Sequence, residues 1–428
     1  MCKIFGGKSY SITWRNRIMK IIFLGIKNIK FFSEELLNKF EKVFLLSEGD
    51  TQIIKTMTGD QVFYVSEKLD HDLKTKKLNF EECISILKNI ITFKDDVKIF
   101  CNQESNLRVA EKIRLHFGIY DHMYGKTSIF LDKVKMKKTL SNTEIKTPKY
   151  LDFDINIENI IFDELKSHLG NVFIIKPKSS VGSRGIHVIK SEVDFLRFKD
   201  ITFNDKCKYH AEEFIDGKLY QFDVVIQNHE IIYHNVSRYS CPMMELQNGE
   251  TLSSIMLDRK DEMHTRISNF GKKCIAKFQV KHGCFHMEIF HSIDDELIFL
   301  EVAARSPGLM TVPAYYSWEG VNMYDLELLL QCKMKIDKGK LITSITPKPA
   351  FFVVYPKRNG LVKCTNSPKT EDDIEESWKV KEGEVINATT TNIDYAAIFF
   401  VKCNSVERVM DAYEFFTFKF EAITVIPS

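Results

Sequence analysis

An α/β layer followed by α+β layers, in three domains, is the fold class this sequence predicts, and three observations predict it. Apolar runs of strand length alternate with helical patterns over residues 18–125. From Lys126 the texture shifts to strand patterns separated by polar turns, and after the Pro-containing linker at 346–349 strand patterns restart. The expected domains are therefore 18–125, 126–340 and 341–428, and at roughly 150 residues per domain a chain of 428 has room for all three.

In the first domain, Lys20-Ile-Ile-Phe-Leu-Gly25 is an apolar run ending in glycine. A helical pattern follows through Phe32, Leu36, Leu37 and Phe40, then a second strand from Val43 to Leu46. The alternation continues with Val62-Phe-Tyr-Val65, the periodic stretch Phe80 to Ile91, and Val97-Lys-Ile-Phe-Cys101. No GxGxxG follows the first strand, so the dinucleotide fingerprint is absent and this layer need not hold a cofactor.

The second domain opens with a helix carrying Asp132, Lys133, Met136, Lys137 and Leu140, which Thr147-Pro148 should convert to extended chain. Strands are expected at Val172 to Ile175, Ile186 to Ile189, Leu219 to Ile226, Glu230 to Tyr233, Cys284 to His291 and Leu297 to Val302. Ala350-Phe-Phe-Val-Val-Tyr355 and Ala396-Ala-Ile-Phe-Phe-Val401 then suggest a small separate α/β appendage.

Composition narrows the function. Lys plus Arg is 60 against 58 Asp plus Glu, a net charge of +2, without the basic excess of a nucleic-acid-binding surface. With 33 Phe and 10 Pro the chain is not disordered. Ten scattered cysteines without a CxxC are expected to be reduced thiols in a cytoplasmic protein. Lys3, Lys8, Arg15, Arg17 and Lys20 are basic, but no apolar run precedes the short stretch Ile21 to Leu24, so neither a signal peptide nor a membrane anchor is expected.

Three stretches carry candidate chemistry. Lys176-Pro-Lys-Ser-Ser-Val-Gly-Ser-Arg-Gly185 lies between apolar strands, and a Ser/Gly turn there can lay N–H groups against phosphate oxygens, with Lys176 and Arg184 adding charge. It also fits a surface hairpin whose Gly182 and Gly185 serve only the turn. In Cys284-Phe-His-Met-Glu-Ile-Phe-His and Leu297-Ile-Phe-Leu-Glu-Val-Ala-Ala-Arg305, period-two alternation puts His286, Glu288 and Phe290 on one face, and Leu297, Phe299, Glu301, Ala303 and Arg305 on one face. A two-residue loop at Asp294-Asp295 would pair 290 with 299 and oppose Glu288 to Glu301, their Cβ atoms about 5 Å apart. Carboxylates so close call for a cation, and hard oxygen ligands suit Mg²⁺ or Mn²⁺. The alternatives are solvated glutamates on a sheet edge, or Glu301 paired to Arg305. The third stretch, Glu212-Glu213-Phe214-Ile215-Asp216-Gly217, fits an ordinary turn as well as a backbone contact to a base edge.

The order of Asp132-Lys133…Met136, Phe173-Ile-Ile-Lys-Pro177 with its Ser/Gly loop, Glu212-Glu213-Phe214-Ile215-Asp-Gly217, Met287-Glu288 and Leu300-Glu301-Val-Ala-Ala-Arg305 resembles the ATP-grasp superfamily, and within it the carboxylate-amine ligases, including L-amino acid ligases and carnosine-synthase-like enzymes. That resemblance implies an ATP-grasp core behind a Rossmann-like pre-grasp domain, with a lid-like C-terminal α+β domain. It implies that Lys133 and Lys176 meet ATP phosphates under a lid containing Ser179, Ser180, Gly182, Ser183, Arg184 and Gly185. Glu212, Glu213, Phe214 and Ile215 become the hinge against adenine, Glu288 and Glu301 the Mg²⁺ (or Mn²⁺) acids, and Arg305, with Lys176, the catalytic cation that steadies the reacting oxygens. Two departures stand out: Leu219 sits where the family has a ribose-binding glutamate, and Ala303 where it has a third metal ligand, leaving Asp216 or Asp223 for the ribose.

The implied activity is ADP-forming ligation of a small carboxylate to an amine through an acyl phosphate. Arg238 is a candidate clamp for a substrate carboxylate by its bidentate guanidinium, and Arg305, Ser306 and Gly308 are further candidates at the substrate. His286 is a candidate acceptor for the amine proton, a structural histidine being the alternative. The partners expected are small molecules, with neither nucleic acid nor membrane, and a second copy of the chain is a further candidate. The rival functions are a nucleotide-binding regulator with weakened catalysis, motivated by Leu219 and Ala303, and a carboxylating or formylating ATP-grasp enzyme of purine or biotin type.

Overall fold

The computed structural model describes residues 19–25, 28–50, 60–92, 97–120, 123, 125–153 and 161–427; Cys2, Lys3, Lys8, Arg15 and Arg17 lie outside them. Four parallel strands form the first sheet in the order Gln61–Tyr64, Glu41–Leu46, Lys20–Leu24, Val97–Phe100. Continuous apolar runs are what a sheet covered on both faces requires, and Ile21, Ile22, Phe23 and Leu24 are all buried. Phe80–Leu87 begins at Asn79, whose side chain accepts from the Glu81 N–H, and Leu107–Phe117 ends at the left-handed Gly118. The pattern through Phe32 and Phe40 yields only a 3₁₀ turn, Ile29–Phe31, and a single α-turn, Glu34–Leu37. A hairpin of Glu67–Asp70 and Thr75–Leu78, too charged to read as strand, projects from this domain.

A smaller antiparallel sheet runs Tyr150–Asp152, Tyr209–Glu213, Phe173–Pro177, His187–Ile189. The helices Phe162–Leu169 and Glu192–Thr202 share its core, which contains Phe173, Ile175, Phe195, Phe198 and Tyr209.

The central sheet has eight antiparallel strands in the order Leu297–Ala303, His282–Ser292, Gly217–Gln227, Glu230–Tyr239, Leu252–Met256, Ala350–Tyr355, Ala397–Lys402, Asp373–Trp378. Its last three strands come from the C-terminal region, joined where Ser253 pairs with Val353. The expected separate appendage is therefore built onto the core sheet, because Ala350–Tyr355 is buried along its whole length and needs neighbours on both edges. Helix Glu262–Lys277 covers one face, with Ile267, Cys274 and Ile275 on Phe222, Phe285 and Met287. Thr311–Glu319 and Met323–Gln331 cover the other.

Glu288 does pair with Glu301, but not by the expected route. The loop is one residue longer: Ser292 N–H donates to the Glu296 carbonyl at 2.9 Å and Asp295 takes φ 62°, the left-handed position of a three-residue hairpin loop. Phe290 accordingly pairs with Ile298 instead of Phe299, and a bulge at Leu300 restores the register. The bulge also reverses side-chain parity. Phe299 joins the core under helix Glu262–Lys277, so it does not share a face with Glu301 as the alternation predicts.

Candidate active site

The site lies between the small sheet and the face of the central sheet that carries Leu219, Gln221, Glu288 and Glu301. A cleft of about 810 Å³, part of it open to solvent, is lined by Lys133, Lys176, Ser180, Gly182, Ser183, Glu212, Glu213, Phe214, Ile215, Glu288 and Glu301. Ile174, Ile186, Leu219, Met243, Phe290 and Leu300 give it apolar walls. The two methionines at 243 and 244 follow Pro242 on a 3₁₀ turn and carried no sequence signal.

Lys133 is the first residue of helix Lys133–Leu140, whose end is fixed by Asp132 accepting from the Val134 and Lys135 N–H groups at 3.0 and 3.1 Å. Its backbone N–H donates to the Lys178 carbonyl at 2.8 Å, and its ammonium donates to the Ser180 carbonyl at 2.8 Å and pairs with Glu301 at 3.3 Å. The helix end is thus stitched to the Ser/Gly loop and to the central sheet together. Burial works against the ammonium of Lys133, but the carboxylates of Glu301 and Glu104 outweigh it and raise the pKa. Burial likewise works against the charged form of Glu301, and Lys133 and Lys176 overcome it, leaving the pKa lowered.

Lys176 sits at the end of its strand with its ammonium on Glu212 Oε1, and Glu212 Oε2 lies 2.8 Å from the ammonium of Lys137. Lys137 is one helical turn beyond Lys133, fully buried, and was not singled out in sequence. Desolvation lowers its pKa, Glu212 opposing. Glu212 stays well below the usual carboxylate range because, against burial, Lys137 and Lys176 flank it. His210 at 3.4 Å is pushed down by burial to about 4 and adds no charge near neutral pH. Glu212 thus serves as a buried counter-ion, while Glu213, Phe214 and Ile215 follow along the same wall.

The residues of the expected lid divide. Ser180, Gly182 and Ser183 line the cleft. Ser179 is turned toward Arg108, whose Nη2 lies 3.3 Å from its hydroxyl, and Arg184 reaches back to the Val181 carbonyl at 3.5 Å. Gly185 packs on Pro177 and Lys74. Gly182 and Ser183 have φ of 68° and 58°, and Gln247 Nε2 donates to the Ser183 carbonyl at 3.0 Å.

Behind Glu288 runs a buried polar chain. Ser237 and Tyr315 hydroxyls are 2.9 Å apart, Tyr315 donates to Asp223 Oδ2 at 2.6 Å, Asp223 Oδ1 takes His286 Nδ1 at 2.7 Å, and His286 Nε2 stands 3.6 Å from Glu288. Burial disfavours the imidazolium, but Asp223 and Glu288 overcome it and raise the pKa to about 9. With a carboxylate at each nitrogen, His286 donates; it is not the proton acceptor considered from sequence. Asp223 is fully buried and committed to this chain, which removes it as a ribose ligand. His286 is also the cross-strand partner of Ala303.

Arg305 donates through Nε and Nη2 to Glu104 Oε2 at 3.1 and 2.9 Å, a carboxylate from the first domain that sequence reasoning missed. Ser306 is buried, its N–H on Glu327 and its hydroxyl on the Met323 carbonyl, so it braces Arg305 and does not face a substrate. Burial pushes Glu327 up to about 7. Gly308 borders open space. Arg238 is not the substrate clamp expected from sequence: it pairs in register with Tyr220 and Ile255 on the face opposite Glu288, its guanidinium 5.9 Å from the Tyr413 ring. A one-residue change of parity separates it from the site.

Among the described residues no cluster holds three or more metal-ligating side chains, and no helix is long and apolar enough to cross a membrane. Two facing carboxylates fit a hard divalent cation that keeps waters and takes phosphate oxygens, the habit of Mg²⁺.

A lysine-lined cleft between two antiparallel sheets, roofed by a Ser/Gly loop and floored by paired acids, is the architecture of an ATP-grasp domain, and residues 169–313 match that domain family. The chain therefore carries an ATP-grasp domain, and its relatives of known activity are ligases. An L-arginine-specific L-amino acid ligase of Bacillus subtilis is 22% identical over 322 residues, covering 72% of this chain and 76% of that one. A D-alanine–D-alanine ligase of Natranaerobius thermophilus is 23% identical over 201 residues, 44% of this chain and 54% of that one. Among solved structures, an L-amino acid ligase from Bacillus licheniformis superposes with a TM-score of 0.68 at 14% identity over 97% of this chain and 100% of the other. A carboxyaminoimidazole ribonucleotide synthase from Aspergillus clavatus, complexed with ATP, gives 0.67 at 13% identity over 92% and 96%. At these identities the superpositions establish the fold.

Proposed function

We propose that this protein is an ADP-forming carboxylate-amine ligase that joins an amino acid, or a similar small carboxylate, to an amine. One observation carries the reading: Glu288 and Glu301 face each other at the floor of a cleft whose walls suit a purine and whose buried lysines suit a triphosphate. The relationship to L-amino acid and D-alanine ligases supports the choice of substrate class.

In this reading the substrate carboxylate attacks the γ-phosphorus of ATP, giving an acyl phosphate and ADP. The amine then attacks the acyl carbon, phosphate leaves, and the amine proton passes to solvent or phosphate. Two anions must meet for the first step, so the chain supplies cations where charge accumulates. Lys133 and Lys176 hold phosphate oxygens, and Arg305 steadies the carboxylate and the transferred phosphoryl group. Glu288 and Glu301 would hold a divalent cation, which neutralises phosphate charge when bound. The Ser/Gly lid excludes water from the acyl phosphate. Glu213, Phe214 and Ile215 present the hinge to adenine, and Leu219 adds apolar wall in place of a ribose ligand. The protein acts in the cytoplasm on small molecules, with a second copy as its candidate partner.

Leu219 and Ala303 favour one alternative, a nucleotide-binding protein of weak turnover. A matrix of amino-acid pairs assayed for ADP release, with mass spectrometry of the products, separates the readings. Amide products that vanish in Glu301→Gln are expected. Tight ATP binding without substrate-dependent ADP release supports the alternative, and bicarbonate- or formate-dependent release without amide supports a carboxylating or formylating enzyme.

A further inference from the structure

Glu212 has two lysines and they are not equivalent. Lys176 borders the cleft, whereas Lys137 has no exposed surface and does not line it. Both ammonium groups reach the one carboxylate, Lys176 at Oε1 and Lys137 at Oε2. The phosphate reading requires Lys176 to give at least part of its ammonium to a nucleotide. A carboxylate as deeply buried as Glu212 cannot be left without a counter-ion, since an uncompensated buried charge is far costlier than a paired one. Only a second cation out of reach of the ligand resolves this, and Lys137 has that position. It is placed there by its helix, because residues four apart share a face and Lys133 already points into the site.

We propose that Lys137 is the positioning residue for Lys176: it keeps Glu212 neutralised, so that Lys176 can turn from Glu212 to the nucleotide phosphates. The inference rests on the nucleotide reading above and adds an assignment for a residue that touches no ligand. Without Lys137, Lys176 becomes the sole counter-ion of Glu212 and is held back from phosphate. The hinge backbone after Glu212 keeps its place, because the remaining Lys176–Glu212 pair still anchors that strand.

Equilibrium binding of adenosine, ADP and Mg·ATP to the full-length protein tests this in Lys137→Met, Lys137→Arg, Lys176→Met and the Lys137→Met/Lys176→Met double variant, with melting temperatures to establish folding. Lys137→Met is expected to weaken ATP about tenfold or more while changing adenosine less than about twofold, the loss falling on the phosphates alone. Lys137→Arg restores ATP binding because it restores the charge. In the Lys176→Met background, Lys137→Met has little further effect on ATP affinity, since its action on the nucleotide passes through Lys176, although the double variant, with Glu212 left without a lysine, is expected to melt lower. Equal weakening of adenosine and ATP would show a merely structural role and overturn the proposal. So would unchanged ATP binding in Lys137→Met, or a Lys137→Met penalty of full size added on top of that of Lys176→Met. If Lys176→Met itself leaves ATP binding unchanged, the phosphate reading fails first, and the inference with it.

Discussion

Asp223→Asn isolates the charge behind Glu288. Asp223 is fully buried, accepts a hydrogen bond from the Tyr315 hydroxyl at 2.6 Å and faces His286 Nδ1 at 2.7 Å. Asparagine keeps the shape and an acceptor for Tyr315 but removes the charge. His286 has its pKa raised from 6.5 to about 9, burial opposing and Asp223 heading the causes that raise it. A histidine whose folded pKa exceeds its unfolded value stabilises the fold fully below the unfolded pKa, and that stability is lost as pH rises through the folded one. The window therefore runs from 6.5 to about 9. A shift of that size is worth about 3 kcal/mol at 1.36 kcal/mol per pKa unit, most of which the variant should forfeit at pH 6. At pH 9.5 both proteins hold a neutral imidazole and the difference should nearly close. In a melt with chelator and without nucleotide, a gap on the order of 3–5 °C is expected at pH 6, falling to about 1 °C or less at pH 9.5. Tyr315→Phe serves as the contrast, since it removes a hydrogen bond without removing charge, and its penalty should not vary in this way. A gap for Asp223→Asn that is the same at both pH values would refute the charge assignment.

The opposite sign is expected at Asp325, whose carboxyl is pushed up from 3.8 to about 6 by burial. A raised carboxyl pKa costs stability above the folded value and nothing below the unfolded one, so Asp325→Asn should stabilise by about 3 kcal/mol at pH 8 and by almost nothing at pH 4. Asparagine retains the oxygen that accepts from the Ser33 N–H at 3.0 Å, and urea titrations at the two pH values would check the result. Gly182→Ala should weaken ATP binding about tenfold, because φ is 68° and the new methyl would stand 2.7 Å from Asn392 Oδ1. Adding Asn392→Ala relieves the clash but not the backbone strain, so recovery in a binding titration should be partial.

How far the sequence could be read depended on where pattern and parity agree. Phe173-Ile-Ile-Lys-Pro177 and Val97-Lys-Ile-Phe showed as strands because burial at nearly every position leaves short runs dominated by apolar residues. Glu67–Asp70 and Thr75–Leu78 did not, since a small exposed hairpin buries too little to impose a pattern. The Glu288–Glu301 pairing was reached through two compensating departures, a loop longer by one and a bulge at Leu300, because the register sum at the acids is the same by either path. Only the faces of Leu297 and Phe299 distinguish the two paths. Arg238 failed for the same reason of parity: a guanidinium beside tyrosines looks like a clamp until its strand neighbours fix its face. Glu104 and Lys137 illustrate a harder limit. Each becomes interpretable through a partner, Arg305 or Glu212, brought close only by the tertiary fold.

Those partners also explain why a net charge of +2 is compatible with the proposed triphosphate site. Lys133 rests on Glu301, Lys176 and Lys137 on Glu212, and Arg305 on Glu104, so each of these four cations is already paired. A site of unpaired buried ammonium groups would destabilise the fold and attract any anion. A self-neutralised one admits only a ligand that replaces each carboxylate with something better, which a triphosphate does by offering several anionic oxygens at once. The carboxylates released from lysine then need new cations of their own. In the proposed reading Glu301 would find one in a divalent ion accompanying the nucleotide, and Glu212, which is buried and does not face Glu288, would have Lys137. Selectivity for a metal-bound triphosphate over a lone phosphate or carboxylate would then follow from the exchange of partners, without any excess of positive charge in the sequence.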